Sequence, residues 1–291
     1  MNDDLCMELA DCGSPEALLR VIFKHHADWP QKVPVKDLAG SVGIVEFQDL
    51  EVEGFVGALM TDDAKNNGVI LTKVGQPEGR HRFTVAHELG HFLIPSHQGN
   101  RQCKATDLSE HRRDTTHRKQ ESEANRFAAG LLMYKPHFSR DIDRLGEADV
   151  SHVMTLAKRY GTSLEATANR YVDLSENSCA FVFSKDGVIR YARSKRGFPR
   201  LAVQKGDRLP DDCYSHQAPA TPLRVPTDWA EFDGSVWLQT EFGKRAPTIL
   251  EQSMRQRDGY QITLLIAQVA DDEEVAEQEE LEDSWRIGFR R

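Results

Sequence analysis

Residues 82–94 read RFTVAHELGHFLI and contain the pattern H-E-x-x-H at His87, Glu88 and His91. Residues four positions apart lie on one face of an α-helix, so the two imidazoles can bind one zinc ion while Glu88 projects beside the metal. Most other residues of the stretch are apolar, which predicts a buried helix. A carboxylate and two histidines in such a helix need a partner, and a metal ion fits all three.

A glycine stands in the middle of this predicted helix. Gly90 costs about 1 kcal/mol of helix propensity relative to Ala, and this cost indicates that another element packs closely against it. The alternative interpretation is a buried helix whose histidines bind only backbone carbonyls, without a metal.

A catalytic zinc site needs a third protein ligand, with a fourth position left open for water. Residues 121–133, ESEANRFAAGLLM, have apolar residues at helical spacing and predict a helix that packs against the first one. Glu121 lies on the apolar side and is the predicted third ligand. Asn125 is predicted to orient a ligand histidine by accepting its second ring N–H. Glu123 points elsewhere, and the alternative is that both glutamates are solvated first-turn residues.

Residues 96–120, between the two motifs, are polar and rich in His, Arg and Lys. They lack an apolar stripe, which predicts a mobile loop with a solvated basic face. His97, His111 and His117 are competing candidates for the third ligand. We rank them below Glu121 because a mobile loop fixes coordination geometry poorly.

The two motifs together resemble the ImmA/IrrE family of bacterial and phage metallo-endopeptidases. The resemblance is carried by RFT-x-AHELGH at residues 82–91 and by E-x-x-AN-x-FAA-x-LLM at residues 121–133. Similar sequences commonly have Pro directly after Leu-Leu-Met, whereas Tyr134 and Lys135 precede Pro136 here. The resemblance implies a gluzincin-like zinc peptidase whose substrate is a helix-turn-helix transcriptional repressor. Cleavage of that repressor would derepress mobile-element or stress-response genes.

The predicted mechanism follows from the site. Zinc, one ion per chain, is held by His87, His91 and Glu121 and lowers the pKa of a water towards about 7. Glu88 takes the proton and later passes it to the leaving amine. Two alternative interpretations stay open: a zinc-containing regulator that does not cleave, and a protein that binds DNA directly.

Tyr134 and His137 follow the second motif, and either is a candidate to stabilise the oxyanion that forms at the scissile carbonyl. The sequence does not choose between them. Upstream, residues 43–47, 54–60 and 68–72 have strand character. The last of these, with Val69, Ile70 and Leu71, is predicted to offer a sheet edge to an extended substrate. An ordinary scaffold strand is the alternative.

Residues 148–174 predict two helices that resemble a helix-turn-helix in outline. A scaffold role is favoured over DNA reading because the second helix is not basic. The alternative of DNA binding would use these helices and a downstream group of cationic side chains: Arg190, Arg193, Lys195, Arg196 and Arg200. The net charge of −9 leaves no overall basic field that would attract nucleic acid, so direct DNA binding is not favoured.

From Cys179 the chain changes to short β-like runs, including 180–183, 188–192, 235–239 and 260–266. The predicted fold class is therefore α+β. A small zincin-like metalloprotease domain with helices and a short β-sheet, at 1–178, precedes a mixed, mainly β C-terminal domain at 179–270. That domain carries no catalytic motif, and its role is regulatory recognition or structural extension. Residues 271–291 form an acidic tail.

The composition predicts a soluble protein, with 39% hydrophobic and 29% charged residues among 291. No apolar run approaches the roughly 20 residues that a membrane span needs, and the N-terminus is acidic where a signal peptide would be basic. The five cysteines are scattered, which is typical of a reducing compartment. We therefore expect a cytoplasmic protein without a membrane partner.

Overall fold

The computed structural model describes residues 3–62, 64–97, 101–104, 115–240 and 246–268. The chain forms two compact units, one of Met1–Gly146 with Val153–Arg170, the other of Glu147–His152 with Tyr171–Arg291. Because the units interleave in sequence, the predicted division at residue 178 stays a prediction. The predicted acidic tail at 271–291 lies outside the described residues.

The helices and strands alternate irregularly along the chain, as the α+β prediction required, and the fold class is confirmed. Helices α1–α3 are Asp3–Ala10, Pro15–His25 and Val35–Ser41, and strands β1–β3 are Ile44–Leu50, Phe55–Thr61 and Gly68–Lys73. Helix α4, strand β4 and helices α5–α8 are Glu78–Leu93, Arg101–Lys104, Thr115–Leu132, Lys135–Leu145, Ser151–Tyr160 and Leu164–Leu174. Strands β5–β9 are Cys179–Lys185, Val188–Ser194, Ala230–Asp233, Thr248–Arg255 and Tyr260–Ala267. No helix in the described part of the chain is long and apolar enough to cross a membrane.

The first sheet has the strand order β1-β3-β2-β4, in which β1 runs parallel to β3 and the other pairs are antiparallel. Strand β3 is therefore interior, and Ile70 pairs with Phe47 on one side and Leu59 on the other. The prediction that Val69, Ile70 and Leu71 offer a free edge is wrong, because both backbone edges of β3 are already hydrogen-bonded.

Strand β4 and the start of α5 occupy part of the segment predicted as a mobile loop, so that prediction is wrong for residues 101–104 and 115–120. Short polar strands give little alternation of apolar residues, which explains why β4 was missed. As a result, β1 and β4 form the two edges of the first sheet.

Helices α4 and α5 pack closely at Gly90. A Cβ atom added to Gly90 would lie 3.0 Å from Cδ1 of Phe127 and 3.4 Å from Cα of Ala124. Leu89, Ala124 and Phe127 are fully buried there. The close packing explains the helix-disfavouring glycine, and it brings the polar residues of both motifs to one place.

The second sheet is antiparallel, with the order β6-β5-β9-β8-β7. Its core includes Val182, Trp237 and Leu265. Glu251 of β8 is fully buried and accepts hydrogen bonds from Trp237 Nε1 at 2.7 Å and from Ser215 N at 2.6 Å. Residues 235–239 were predicted as a strand, but a 3-10 helix spans Gly234–Val236 instead, and Trp237 packs into the core.

Arg82, near the start of α4, fixes this helix to two other segments of the first unit. Its Nε donates to the carbonyl oxygen of Gly161 at 3.1 Å, and its NH2 group donates to that of Val33 at 2.8 Å. Burial lowers the pKa of the guanidinium, with Glu78 opposing that shift. One side chain therefore joins the first turns of α4 to the α7–α8 turn and to the segment before α3.

Replacing Arg82 by Met should lower the free energy of unfolding by about 2 to 3 kcal/mol, because two hydrogen bonds from a charged donor are lost. Urea unfolding followed by circular dichroism measures the change. The matched control is Arg80→Met, at an exposed position on the same helix, which should stay within about 0.5 kcal/mol of the parent. Equal effects of the two substitutions would contradict the bridging role.

Candidate metal centre

Three acceptor side chains meet between α4 and α5. The Nε2 atoms of His87 and His91 lie 3.1 Å apart. Glu121 of α5 places Oε2 3.3 Å from His87 Nε2 and Oε1 3.3 Å from His91 Nε2. The three side chains are 6%, 0% and 9% exposed, and their ligand atoms all lie within 4.8 Å of one another, so the group could hold a metal ion.

The electrostatics favour the ligand forms of at least two of these groups. Burial and the neighbouring His87 lower the pKa of His91 to about 4, although Glu121 opposes the shift. Burial also acts against ionisation of Glu121, but the interactions with His87 and His91 outweigh burial and lower its pKa. At neutral pH the site therefore presents an ionised carboxylate and a neutral His91, and these are the forms that bind metals.

His87 differs from His91 in its proton affinity. Burial disfavours its charged form, but the hydrogen bond to Glu121 and the charges of Glu88 and Glu121 outweigh burial and raise its pKa. The raised pKa favours a proton on His87, where its charge would partly balance the Glu121 carboxylate. Metal binding must displace this proton, since a cation and a proton compete for the same nitrogen.

Asn125 contacts the ring nitrogen of His87 that does not face the centre of the site. Its Oδ1 is 3.0 Å from Nδ1 of His87, and because an amide oxygen only accepts, Nδ1 must carry the hydrogen. In the neutral ring the lone pair is then on Nε2, which faces the centre of the site. One helical turn separates Asn125 from Glu121, so α5 carries both a candidate ligand and the amide that contacts another candidate ligand.

His97 and Glu123 lie behind His91. Nδ1 of His97 is 2.9 Å from Nδ1 of His91, and Nε2 of His97 is 3.0 Å from Oε2 of Glu123. The sequence offered His97 as a competing ligand and left Glu123 without a role at the site. The structure places the two next to each other, outside the group that could hold the metal.

Two other loop histidines were candidates for the third ligand. His117 Nε2 is 3.8 Å from Oε1 of Glu121, one turn earlier on α5, and its side chain is 30% exposed. The described residues do not include His111. The three-residue group that the geometry brings together contains Glu121 and neither of these histidines.

Glu88 is fully buried and lies against strand β2. A Cβ atom added to Gly57 of β2 would be 2.8 Å from Oε1 of Glu88 and 2.4 Å from Cγ2 of Thr84. Only glycine leaves room for the carboxylate at this position. Sequence reasoning missed this contact, although an isolated glycine within a strand is a known sign of close approach by another group.

Lys65 stabilises the carboxyl end of α4. Its Nζ donates to the carbonyl oxygens of His91 at 2.8 Å, Ile94 at 3.1 Å and His97 at 2.8 Å. The backbone of Lys65 has a φ of 55°, and the Asp62 carboxylate fixes the same turn by accepting from Asn66 N at 2.8 Å. No sequence pattern indicated this role, because the lysine lies in an ordinary polar turn.

The two candidate oxyanion stabilisers lie in an aromatic cluster with α2. The Tyr134 ring stacks on Phe23 with a centroid distance of 3.8 Å, and the His137 ring meets Tyr134 edge-on at 5.4 Å. These contacts give both residues a packing role. The predicted role at the scissile carbonyl stays a prediction for each.

Comparison with known proteins finds a family match for part of the chain. Residues 45–171 match the peptidase M78 family, described as the IrrE N-terminal-like domain. This range includes both motifs and all three members of the candidate metal centre. The resemblance to the ImmA/IrrE family is thereby confirmed for these residues, which match its metallopeptidase-type, IrrE N-terminal-like domain.

One solved structure with a similar fold is a Mycobacterium tuberculosis transcriptional regulator. It has a TM-score of 0.51 and 15% sequence identity, and the match covers 91% of this chain and 76% of that chain. At this level of identity the likeness concerns the fold alone. No curated protein sequence matches the chain.

Gly57→Ala should lower the free energy of unfolding by about 1 to 3 kcal/mol, because the added methyl group overpacks the contact with Thr84 and Glu88. Chemical denaturation of purified variants measures this change. Gly40→Ala is the control, since nothing lies within 4 Å of its added Cβ, and it should be neutral or slightly stabilising. A Gly57→Ala protein as stable as the parent would show that β2 can withdraw from Glu88.

Proposed function

We propose that the chain is a zinc-dependent endopeptidase that binds one zinc ion through His87, His91 and Glu121. The observation that carries the proposal is the convergence of three buried side chains, whose two Nε2 atoms and two carboxylate oxygens approach one another at 3.1 to 3.3 Å. Lone pairs that face one another in a buried site repel unless a cation or proton lies between them. Two imidazole nitrogens and one carboxylate are also the donor set of a catalytic zinc site that keeps a fourth position open.

When zinc is bound, it polarises a peptide carbonyl and lowers the pKa of a water molecule. Glu88 follows His87 directly in α4, so its carboxylate projects beside the ligand pair. We assign to Glu88 the transfer of a proton from the attacking water to the leaving amine. Gly57 supports this role, because it leaves room for the carboxylate against β2.

An extended substrate can add to a sheet only at an edge strand, and in the first sheet these are β1 and β4. Strand β4 pairs with β2, and Gly57 of β2, which pairs with Cys103, contacts Glu88. We therefore place the substrate backbone along β4. This assignment replaces the edge predicted at Val69, Ile70 and Leu71.

The proposed substrate is a helix-turn-helix transcriptional repressor, and its cleavage would derepress mobile-element or stress-response genes. The match of residues 45–171 to the IrrE N-terminal-like domain supports this substrate class. The protein of similar fold from Mycobacterium tuberculosis is named a transcriptional regulator, which agrees with a role in transcription control.

A zinc-containing regulator that does not cleave, and acts by binding protein or DNA, is the alternative. If this regulator bound DNA, it would use the cationic side chains in and after β6. Several of these side chains already make contacts within the second unit. Arg193 pairs with Asp173 at 2.5 Å, Lys195 donates to the Ser175 carbonyl, and Arg190 lies 4.9 Å from the Tyr260 ring centroid. These contacts favour a structural role for the cluster.

Glu88→Gln should still bind one zinc per chain but cleave at least about 100-fold more slowly, since an amide cannot accept the proton. Zinc content is measured by atomic absorption, and cleavage is followed by electrophoresis of the helix-turn-helix repressor encoded nearest to this gene. The control is Glu78→Gln at the exposed start of the same helix, which should cleave like the parent. Unchanged cleavage by Glu88→Gln would refute the assigned base. A parent protein that binds zinc but leaves the repressor intact would favour the alternative.

Glu121→Gln should weaken zinc binding by more than the about 10- to 100-fold typical of an outer-shell change, because it removes the anionic ligand. Competition with a zinc chelator gives the dissociation constant. Glu147→Gln, at an exposed position, is the control and should bind zinc like the parent. Parent-like affinity in Glu121→Gln would show that another residue is the third ligand.

A further inference from the structure

His91 is supported from behind by two other side chains. Its Nδ1 is 2.9 Å from Nδ1 of His97, whose Nε2 is 3.0 Å from Oε2 of Glu123. The side chains of His91 and His97 are fully buried, and that of Glu123 is 18% exposed. The three groups form a hydrogen-bonded row from the candidate metal centre towards the surface.

The carboxylate of Glu123 determines which atoms donate and which accept along this row of hydrogen bonds. An ionised carboxylate only accepts hydrogen bonds, so Nε2 of His97 must donate to it. The neutral His97 ring then has its lone pair on Nδ1, which can accept the hydrogen from Nδ1 of His91. In this tautomer the lone pair of His91 is on Nε2, the atom that faces Glu121. If the hydrogen bonds ran in the opposite direction, the lone pair on Nε2 of His97 would face the carboxylate of Glu123 and be repelled by it.

The loop that carries His97 is held in place by its backbone. The N–H of His97 donates to Ile94 O at 3.1 Å, and Lys65 Nζ donates to His97 O at 2.8 Å. From α5, Gln120 Nε2 donates to Ser96 O at 2.7 Å. The chain therefore turns sharply after α4 and returns the His97 ring to a fixed position beside His91.

We propose that His97 and Glu123 are positioning residues that fix the tautomer and ring orientation of His91, so that its Nε2 is free to bind the metal. The inference rests on the proposed zinc site and extends it. For His87, the amide oxygen of Asn125 would fix the tautomer in the same way, by accepting a hydrogen bond from Nδ1. His91 lies deeper, and its orientation is set by a two-residue row that ends at a carboxylate.

A pair of substitutions at residue 97 tests the row with zinc alone as the probe. His97→Leu removes the acceptor and should weaken zinc binding about 10- to 100-fold, measured by chelator competition. Asn places an oxygen where the histidine has Nδ1, so His97→Asn should recover part of this loss. Glu123→Gln is a milder variant at a partly exposed position, which should fold even where His97→Leu does not, and it should also weaken zinc binding.

Nitrogen-15 NMR of the zinc-loaded protein provides a second readout. We expect a slowly exchanging proton on Nδ1 of His91 and a proton on Nε2 of His97. The His91 signal should exchange rapidly in His97→Leu and remain protected in His97→Asn. A packing defect alone would not distinguish these two variants in this way. A proton on Nδ1 of His97 would overturn the proposed direction of the row.

His152→Asn is the control, because His152 is also a buried histidine but lies in the second unit. It should leave the zinc affinity unchanged. If the parent binds zinc and both His97→Leu and Glu123→Gln bind it equally well, the positioning role is refuted and the proposed zinc site stands. If the parent itself binds no zinc, the proposed function fails together with this inference.

Discussion

The close packing of α4 against α5 is the constraint on which the rest of the site depends. Gly90 lets Phe127 and Ala124 approach the backbone of α4, and at this separation Glu121 reaches both imidazoles of the opposite helix. A larger residue at position 90 would force the helices apart. Apolar packing thus brings three side chains with metal-binding atoms together, and a cation can relieve the repulsion between their lone pairs.

Around this centre, each polar group is held by a neighbour that has no direct part in the proposed chemistry. Oδ1 of Asn125 contacts Nδ1 of His87, and Lys65 fixes the loop after α4 through three carbonyl oxygens. Gly57 leaves space for Glu88. A site supported in this way loses little conformational entropy when a metal or substrate binds, and its geometry is set before either arrives.

The second unit shows a different use of buried polarity. Glu251 is fully buried, but hydrogen bonds from Trp237 and Ser215 satisfy its carboxylate, which ties a 3-10 helix to the sheet. In the first unit the buried carboxylate of Glu121 instead meets two imidazole nitrogens, and among the residues described only this group has ligand geometry for a metal. Buried Glu251 therefore stabilises the fold of the second unit, whereas buried Glu121 is a candidate metal ligand in the first unit.

The sequence by itself determined the α+β class and the placement of His87 and His91 on one helical face, because helical spacing is a local property that periodicity reveals. That Glu121 joins these two histidines was a prediction from the second motif, and the packing of α5 against α4 brings the three side chains together. The tertiary structure decided which strands form the sheet edges, and it placed Gly57 against Glu88 and His97 between His91 and Glu123. These features depend on pairs of residues that are distant in sequence or separated by a turn. No periodic pattern encodes such contacts, since they arise only when the packed elements fix the positions of the chain.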